Sequence, residues 1–290
     1  MGRRMREIRR SDSDYPQPLT QLDRPPDPLY VIGDESILDL APNRLVAIVG
    51  TRDASSYGVR ITAALAEAFA KAGIGVVSGL ARGVDAAAHR AALEAGGKTI
   101  AVMGTGVDIP YPVGHRGLHA EIAARGLVVS ENEPGMPAIP GCFPRRNRII
   151  AALARVTIVV EAPFKSGAIN TATHALDGGR VVAAVPGPID SPRSAGSNLL
   201  IRDGAVMLNS INDALMLYGL TQGRKGEGPT LTNLESTVWE VLEDGPAPVE
   251  VIVSRAGLTI RQTLEGIARL ELNGMVRQHS NGEIERLKIA

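Results

Sequence analysis

Six short apolar runs recur between Leu45 and Val185: Leu45–Val49, Ile74–Val77, Thr99–Met103, Leu127–Val129, Val156–Val160 and Val181–Val185. They are continuous rather than alternating, which suits strands buried on both faces. Helical patterns lie between several of them. The clearest is Ile61, Ala64, Leu65, Ala68, Phe69 and Ala72, one apolar stripe at i, i+3, i+4 and i+7 spacing, stopped by Gly73. Strands alternating with amphipathic helices predict an α/β fold, a doubly wound parallel sheet. Low aromatic content (3%) in a chain that is 44% hydrophobic agrees, because Ala, Val, Ile and Gly then carry the apolar load.

In such a sheet, ligands gather at the carboxyl ends of the strands. Those ends read Gly50-Thr51-Arg52, Ser78-Gly79, Gly104-Thr105-Gly106, Ser130-Glu131, Glu161-Ala162 and Pro186-Gly187-Pro188. Small residues let a ligand come close, and helix amino termini there favour anions. Any one of these turns is ordinary strand-to-helix chemistry. Six on one edge, with Arg52 among them, favour an anion site.

The run Phe143-Pro144-Arg145-Arg146-Asn147-Arg148-Ile149-Ile150 sharpens that expectation. It sets one ring beside three guanidinium groups with no carboxylate between them. A base can stack on the ring while arginines hold phosphates. A solvated helix start with an incidental Phe is the bland alternative. Phe occurs only 3 times in 290 residues, which argues against incidental filler.

Whole-chain charge is uninformative, since 31 basic residues balance 31 acidic ones. The single cysteine, Cys142, excludes an internal disulfide and a multi-cysteine zinc site, and fits a reducing cytoplasm. No apolar run reaches membrane-spanning length, and no apolar segment of a signal peptide follows the basic start, so no membrane partner is expected.

Residues 1–44 form a basic and Pro-rich lead-in. Arg3, Arg4, Arg6, Arg9 and Arg10 stand against Glu7 in a start expected to be disordered, with nucleic-acid contact as the alternative. The short apolar piece Leu29–Gly33 belongs to an irregular segment packed on the main domain. Residues 45–219 form that domain, with Leu199 to Leu217 its closing helical and strand elements. A linker follows at 220–230, and then a compact unit at 231–290. There, three helical stripes (Leu234, Val238, Leu242; Val249, Ile252, Val253; Ile260, Leu264, Ile267, Leu270, capped by Gly274) precede two strands about the turn Asn281-Gly282. That order reads as a winged helix. Six cationic residues in this unit face nine acidic ones, a net charge of −3 that disfavours phosphate binding by its third helix.

Other motifs fail. Gly96-Gly97-Lys98-Thr99 has Ala92 where a phosphate loop needs glycine, and a helix precedes it. Gly104-Thr105-Gly106 has Ile109 where a dinucleotide fingerprint needs its third glycine. Asp85 and His89, at i and i+4, are read as a helix-start carboxylate bonded to a nearby histidine rather than an acid–base pair. His115, His119 and His174 show no metal spacing, so no metal and no cofactor are expected.

Taken in order, the motifs resemble the DprA (Smf) family of DNA-processing proteins. The matching runs are Val49–Arg52, Tyr57-Gly58, Ser78–Asp85 with Ala88-His89, Gly104–Asp108 with Tyr111-Pro112, and Ser130-Glu131. Phe143–Ile150, Ser166-Gly167 with Thr171-Ala172, Gly179-Arg180 and Val185–Gly187 complete them. The likeness runs from about Leu45 to Tyr218. It implies an extended Rossmann domain that binds single-stranded DNA, and a homodimer that delivers RecA onto incoming DNA during natural transformation. It implies no enzymatic activity. The DNA-binding residues expected from these runs are Gly50, Thr51, Arg52, Ser78, Gly79, Gly104, Gly106, Phe143, Arg145, Arg146, Asn147, Arg148, Ser166 and Gly167. The chain departs from the family at His115, where Asn is usual, and at Asn132-Glu133-Pro134, a slightly stretched run after Ser130-Glu131. It also begins too late to hold the helical module that often precedes the lead-in. Two other readings compete. A phosphoribohydrolase-like enzyme would need a Pro-Gly-Gly-x-Gly-Thr pattern, which Pro186-Gly187-Pro188 lacks. A transcription regulator would be led by the winged helix.

Overall fold

The structure is a computed structural model that describes residues 5–220, 232–272, 275–279 and 282–287. The chain divides into two compact units between Thr221 and Gln222.

The first unit is a nine-stranded sheet. Its strands are β1 (Arg6–Ile8), β2 (Leu29–Gly33), β3 (Leu45–Val49), β4 (Gly75–Ser78), β5 (Thr99–Val102), β6 (Leu127–Ser130), β7 (Val156–Val159), β8 (Val181–Ala184) and β9 (Val206–Met207). They lie in the order β1-β2-β6-β5-β4-β3-β7-β8-β9. From β6 to β9 every pairing is parallel. The chain winds outward from β3 to β6, then returns to place β7 on the other side of β3. The strand order therefore reverses between β3 and β7, where open α/β sheets open a crevice.

Successive residues of β3 feed opposite cores, as the two-residue period requires. Leu45, Ala47 and Val49 pack with Ile149, Ile150 and Leu153 of α4 (Cys142–Leu153). Val46 and Ile48 pack with Leu65 and Phe69 of α1 (Ser56–Lys71). Ser55 caps α1 by accepting the Gly58 N–H, and Gly73 takes φ +72° just beyond its end. Phe69 is wholly buried, and burying a side chain of that size stabilises by about 1.5–3 kcal/mol. The remaining helices are α2 (Val84–Glu94), α3 (Arg116–Arg125), α5 (Gly167–Asp177), α6 (Ala195–Arg202) and α7 (Ile211–Met216).

Two expectations are corrected here. The lead-in is not irregular: β2 pairs antiparallel with β6, and β1 with β2. Arg6 is no free arm residue, since it pairs with Asp14 and Glu35, and Arg9 pairs with Glu7. Arg3 and Arg4 lie outside the described residues. Asp85 and His89 do not bond to each other either. Asp85 accepts the Gly79 and Ala81 N–H groups, and His89 Nδ1 meets Thr99 Oγ1 at 2.7 Å.

The second unit holds α8 (Asn233–Val241), α9 (Val249–Ala256) and α10 (Ile260–Leu272), with strands β10 (Ala247–Pro248), β11 (Val276–Gln278) and β12 (Glu283–Arg286) in the order β10-β12-β11. Thr232 and Glu235 form a reciprocal capping box at the start of α8. Val238, Leu242, Ile252, Ile267, Leu270 and Ile284 share one core, separate from those of the first unit. Three helices and a small antiparallel sheet are a winged helix. Gly282 takes φ +87° in the hairpin; Gly274 and Asn281 lie outside the described residues, as does the linker from 221 to 231.

Candidate nucleic-acid interface

The crevice predicted by topology is present at the carboxyl ends of β3, β4, β5 and β7. Two adjoining depressions, of about 240 and 600 Å³, share Arg52, Ala81, Tyr111, Phe143 and Arg146. Gly79, Arg82, Gly104 and Pro112 line one, and Gly50, Thr51, Asn147, Ser166 and Gly167 line the other.

Helix α4 supplies the centre. Phe143 and Arg146 are three residues apart, so they share a helix face, and that face looks into the crevice. The close fit explains two glycines. A Cβ at Gly104 would stand 2.7 Å from the Phe143 ring, and one at Gly79 would stand 2.3 Å from the Arg146 guanidinium. Here the small post-strand residues admit the protein's own ring and guanidinium, where the sequence suggested an approaching ligand.

Phe143 is half-buried. Its ring lies 5.0 Å from that of Tyr111 at 38°, and the Arg52 guanidinium stands 5.9 Å from its centroid. Arg146 is buried. It donates to the carbonyls of Gly79 (2.8 Å) and Val102 and to Asn147 Oδ1 (3.2 Å). Burial, with a smaller push from neighbouring Arg52, lowers its pKa to about 10, while Asp85 opposes the shift. Arg146 therefore stays cationic at neutral pH. Burial in turn raises the Asp85 carboxyl, and the Arg146 charge resists that rise. Asp85 and Arg146 thus offset each other's cost of burial.

Asp85 also fixes the turn after β4. Its carboxylate takes the N–H groups on both sides of Leu80, which has φ +59° and is fully buried. His115 Nδ1 reaches the Leu80 carbonyl at 3.0 Å; a carbonyl only accepts, so Nδ1 carries the proton. A leucine held left-handed stores strain of about 1–3 kcal/mol, and such residues concentrate at functional sites. The His115 departure thus has a definite place: it holds the strained turn that carries Ala81 and Arg82 to the crevice.

The crevice is electropositive. Among the described residues no carboxylate pairs with Arg52 or Arg82, both exposed. Helix α5 begins at its edge, where Ser166 Oγ accepts the Ile169 N–H and Asn147 Nδ2 donates to the Gly167 carbonyl. Its first-turn N–H groups add a partial positive charge.

The other expected residues scatter. Arg145 and Arg148 both pair with Glu131, at 3.2 and 2.6 Å, on the side of α4 away from Arg146, and line a separate groove with Arg24 and His174. The run holds no carboxylate of its own, but the end of β6 supplies one. Ser78 is buried and donates to the Ile48 carbonyl, and Gly106 donates its N–H to Met136. Neither lines the crevice. Glu161 holds Ser55 at the start of α1, so neither Glu131 nor Glu161 neutralises Arg52. Sequence reasoning left Arg82 and Tyr111 out of the site, although both lie in the runs it singled out.

The fold and crevice define a class: a Rossmann-type domain with an arginine-lined switch point beside two adjacent rings, joined to a winged helix. Comparison with known proteins agrees. The family model for DNA recombination-mediator protein A matches residues 6–219, and that for the DprA winged helix domain matches residues 223–282. The chain belongs to the DNA recombination-mediator protein A family. A relative from Mycobacterium tuberculosis is 42% identical over 255 residues, covering 85% of this chain and 65% of its own length. The X-ray structure of DNA processing protein A from Streptococcus pneumoniae superposes with a TM-score of 0.69 at 39% identity, over 73% of this chain and 74% of that one. DNA processing protein A from Helicobacter pylori, described for its single-stranded DNA binding mode, gives 0.67 at 33% identity, over 74% of this chain and 96% of that one.

Proposed function

We propose that this chain binds single-stranded DNA in the β3–β7 crevice and acts as a binding protein rather than an enzyme. One observation carries the reading: two unpaired cations, Arg52 and Arg82, flank the adjacent rings of Phe143 and Tyr111 over the buried Arg146. Phosphates suit the cations, and splayed bases suit the rings. The crevice also brings Arg52 and Arg146 together as like charges, a repulsion that a phosphate between them would relieve. Gly50, Thr51, Asn147, Ser166 and Gly167 would contact the backbone of the strand. The single-stranded DNA binding of the H. pylori relative supports the same reading. Within the family's work the chain would deliver RecA onto incoming DNA during natural transformation. It would do so as a homodimer through the late segment of the first unit, where Val206 and Met207 of the edge strand β9 and Met216 of α7 are exposed.

Titration of labelled single- and double-stranded oligonucleotides over a range of salt tests the binding. Single strands should bind more tightly, with a slope of log affinity against log salt of about −0.7 per phosphate neutralised. Equal affinity for blunt duplex would remove the single-strand reading.

A further inference from the structure

The third helix of a winged helix is the element that commonly enters the major groove of duplex DNA. In this chain the exposed face of α10 is built otherwise. Ile260 is 60% exposed, Leu264 50% and Leu272 88%, and exposed Ala268 completes a ridge at every fourth residue. Two exposed charges flank the ridge, Arg261 near one end and Glu271 near the other. Neither has an ion-pair partner among the described residues, whereas Arg269 and Glu265, on the adjoining face, pair with each other at 2.7 Å.

These six positions are symmetric about the buried Gly266. At about 100° per residue, Leu264 and Ala268 lie on either side of the pole opposite Gly266, and Ile260 and Leu272 lie symmetrically outside them. Arg261 and Glu271 stand as far from that pole as each other, on opposite sides. Laid against itself antiparallel, the helix sets Leu264 against Ala268 and Arg261 against Glu271 across the seam, with Ile260 and Leu272 on its two outer flanks. The central apolar residues then meet each other, and each unpaired charge meets its opposite. A two-fold interface requires this kind of self-complementarity. A duplex-reading face would need donors for base edges and cations for phosphates. Here the ridge is apolar, and the unit around it is net acidic.

We propose that α10 is a homotypic contact: the winged helices of two copies of this chain pair through antiparallel α10 helices. One helix pair buries less surface than a stable interface needs. The contact therefore acts between chains already held near one another, where effective concentration replaces affinity. This proposal does not depend on what the crevice binds.

Full-length chains with Arg261→Cys and Glu271→Cys, singly and together, treated with a short bis-maleimide, test the pairing. The two positions are ten residues apart on one helix, about 15 Å, too far for the reagent to join within a chain. In the antiparallel pair they meet across the axis, while each lies far from its own copy. The double variant should give a covalent dimer at least tenfold above either single variant and above wild type, whose only cysteine, Cys142, is buried. Adding Leu264→Asp to the double variant should abolish that dimer. Equal yields from single and double variants would overturn the proposal. So would a labelled duplex that binds the full chain and is lost with Leu264→Asp, which would assign the face to DNA.

Discussion

The β3–β7 crevice and the outer face of α10 both occupy positions where their folds commonly meet nucleic acid, yet only one carries the chemistry for it. The crevice has two unpaired cations, a buried one and two rings; α10 has an apolar ridge whose two free charges are of opposite sign. Fold position indicates where a ligand would sit, while the side chains decide which ligand it is. The same contrast recurs along α4 at smaller scale. Arg146 faces the crevice, and Arg145 and Arg148 face Glu131.

The most severe way to break the comparison is Arg146→Ala. The guanidinium is buried, holds two backbone carbonyls and neutralises Asp85. Its removal leaves a buried carboxylate without its counter-charge, which costs about 3–5 kcal/mol. Denaturant unfolding should show a loss of that size, with binding lost alongside. If stability stayed within about 1 kcal/mol while binding fell, Arg146 would be a ligand-contact residue and the crevice would lack the internal strut described here.

That outcome bears on what the sequence could disclose. Strands β3 to β8 were legible because burial on both faces leaves continuous apolar runs, and α1 because its stripe is unbroken. β1 and β2 were not, since pairing at the margin of a sheet needs only a few apolar residues and leaves no period to read. In the site, Arg52 and Phe143 were legible as a cation after a strand and a scarce ring among arginines. The division of labour within the arginine run was hidden, because it depends on Asp85 and Glu131, which lie far away in sequence and reach α4 only through the sheet order. Leu80 gave no signal, because an apolar residue in a left-handed turn is held there by its neighbours rather than by its own preference.

A smaller effect sharpens the contrast along α4. Arg52→Ala should leave stability unchanged, since the side chain is exposed, unpaired and repelled by Arg146. It should weaken single-strand binding about tenfold to a hundredfold, the worth of a hydrogen bond to a charged group at about 1.5–3 kcal/mol. Phe143→Ala should cost about 1–3 kcal/mol of binding through the lost stack, and Phe143→Trp should retain most of it. Arg145→Ala, in which the lost charge was already paired with Glu131, should change affinity by less than about threefold. Fluorescence titrations of the variants side by side decide the matter. An Arg145 effect as large as that of Arg52 would mean that the strand crosses α4 into the groove lined by Arg24, Arg148 and His174.

The smallest expected effect belongs to the winged helix itself. A chain ending at Thr221 keeps every residue of the crevice, because the described lining lies between Val49 and Thr171. If the second unit gives nothing to phosphates, its removal should leave the affinity for a short single strand within about twofold. The slope against salt should also stay the same, since no neutralised phosphate is lost. The net charge of −3 over residues 231–290 even permits slightly tighter binding once that repulsion is gone. A shallower salt slope after truncation would show that cations of this unit touch the DNA, and the contrast between the two surfaces would fail. An unchanged slope with weaker binding only to long strands would preserve it. That pattern arises when chains on one strand support each other through contacts that a short oligonucleotide is too small to engage.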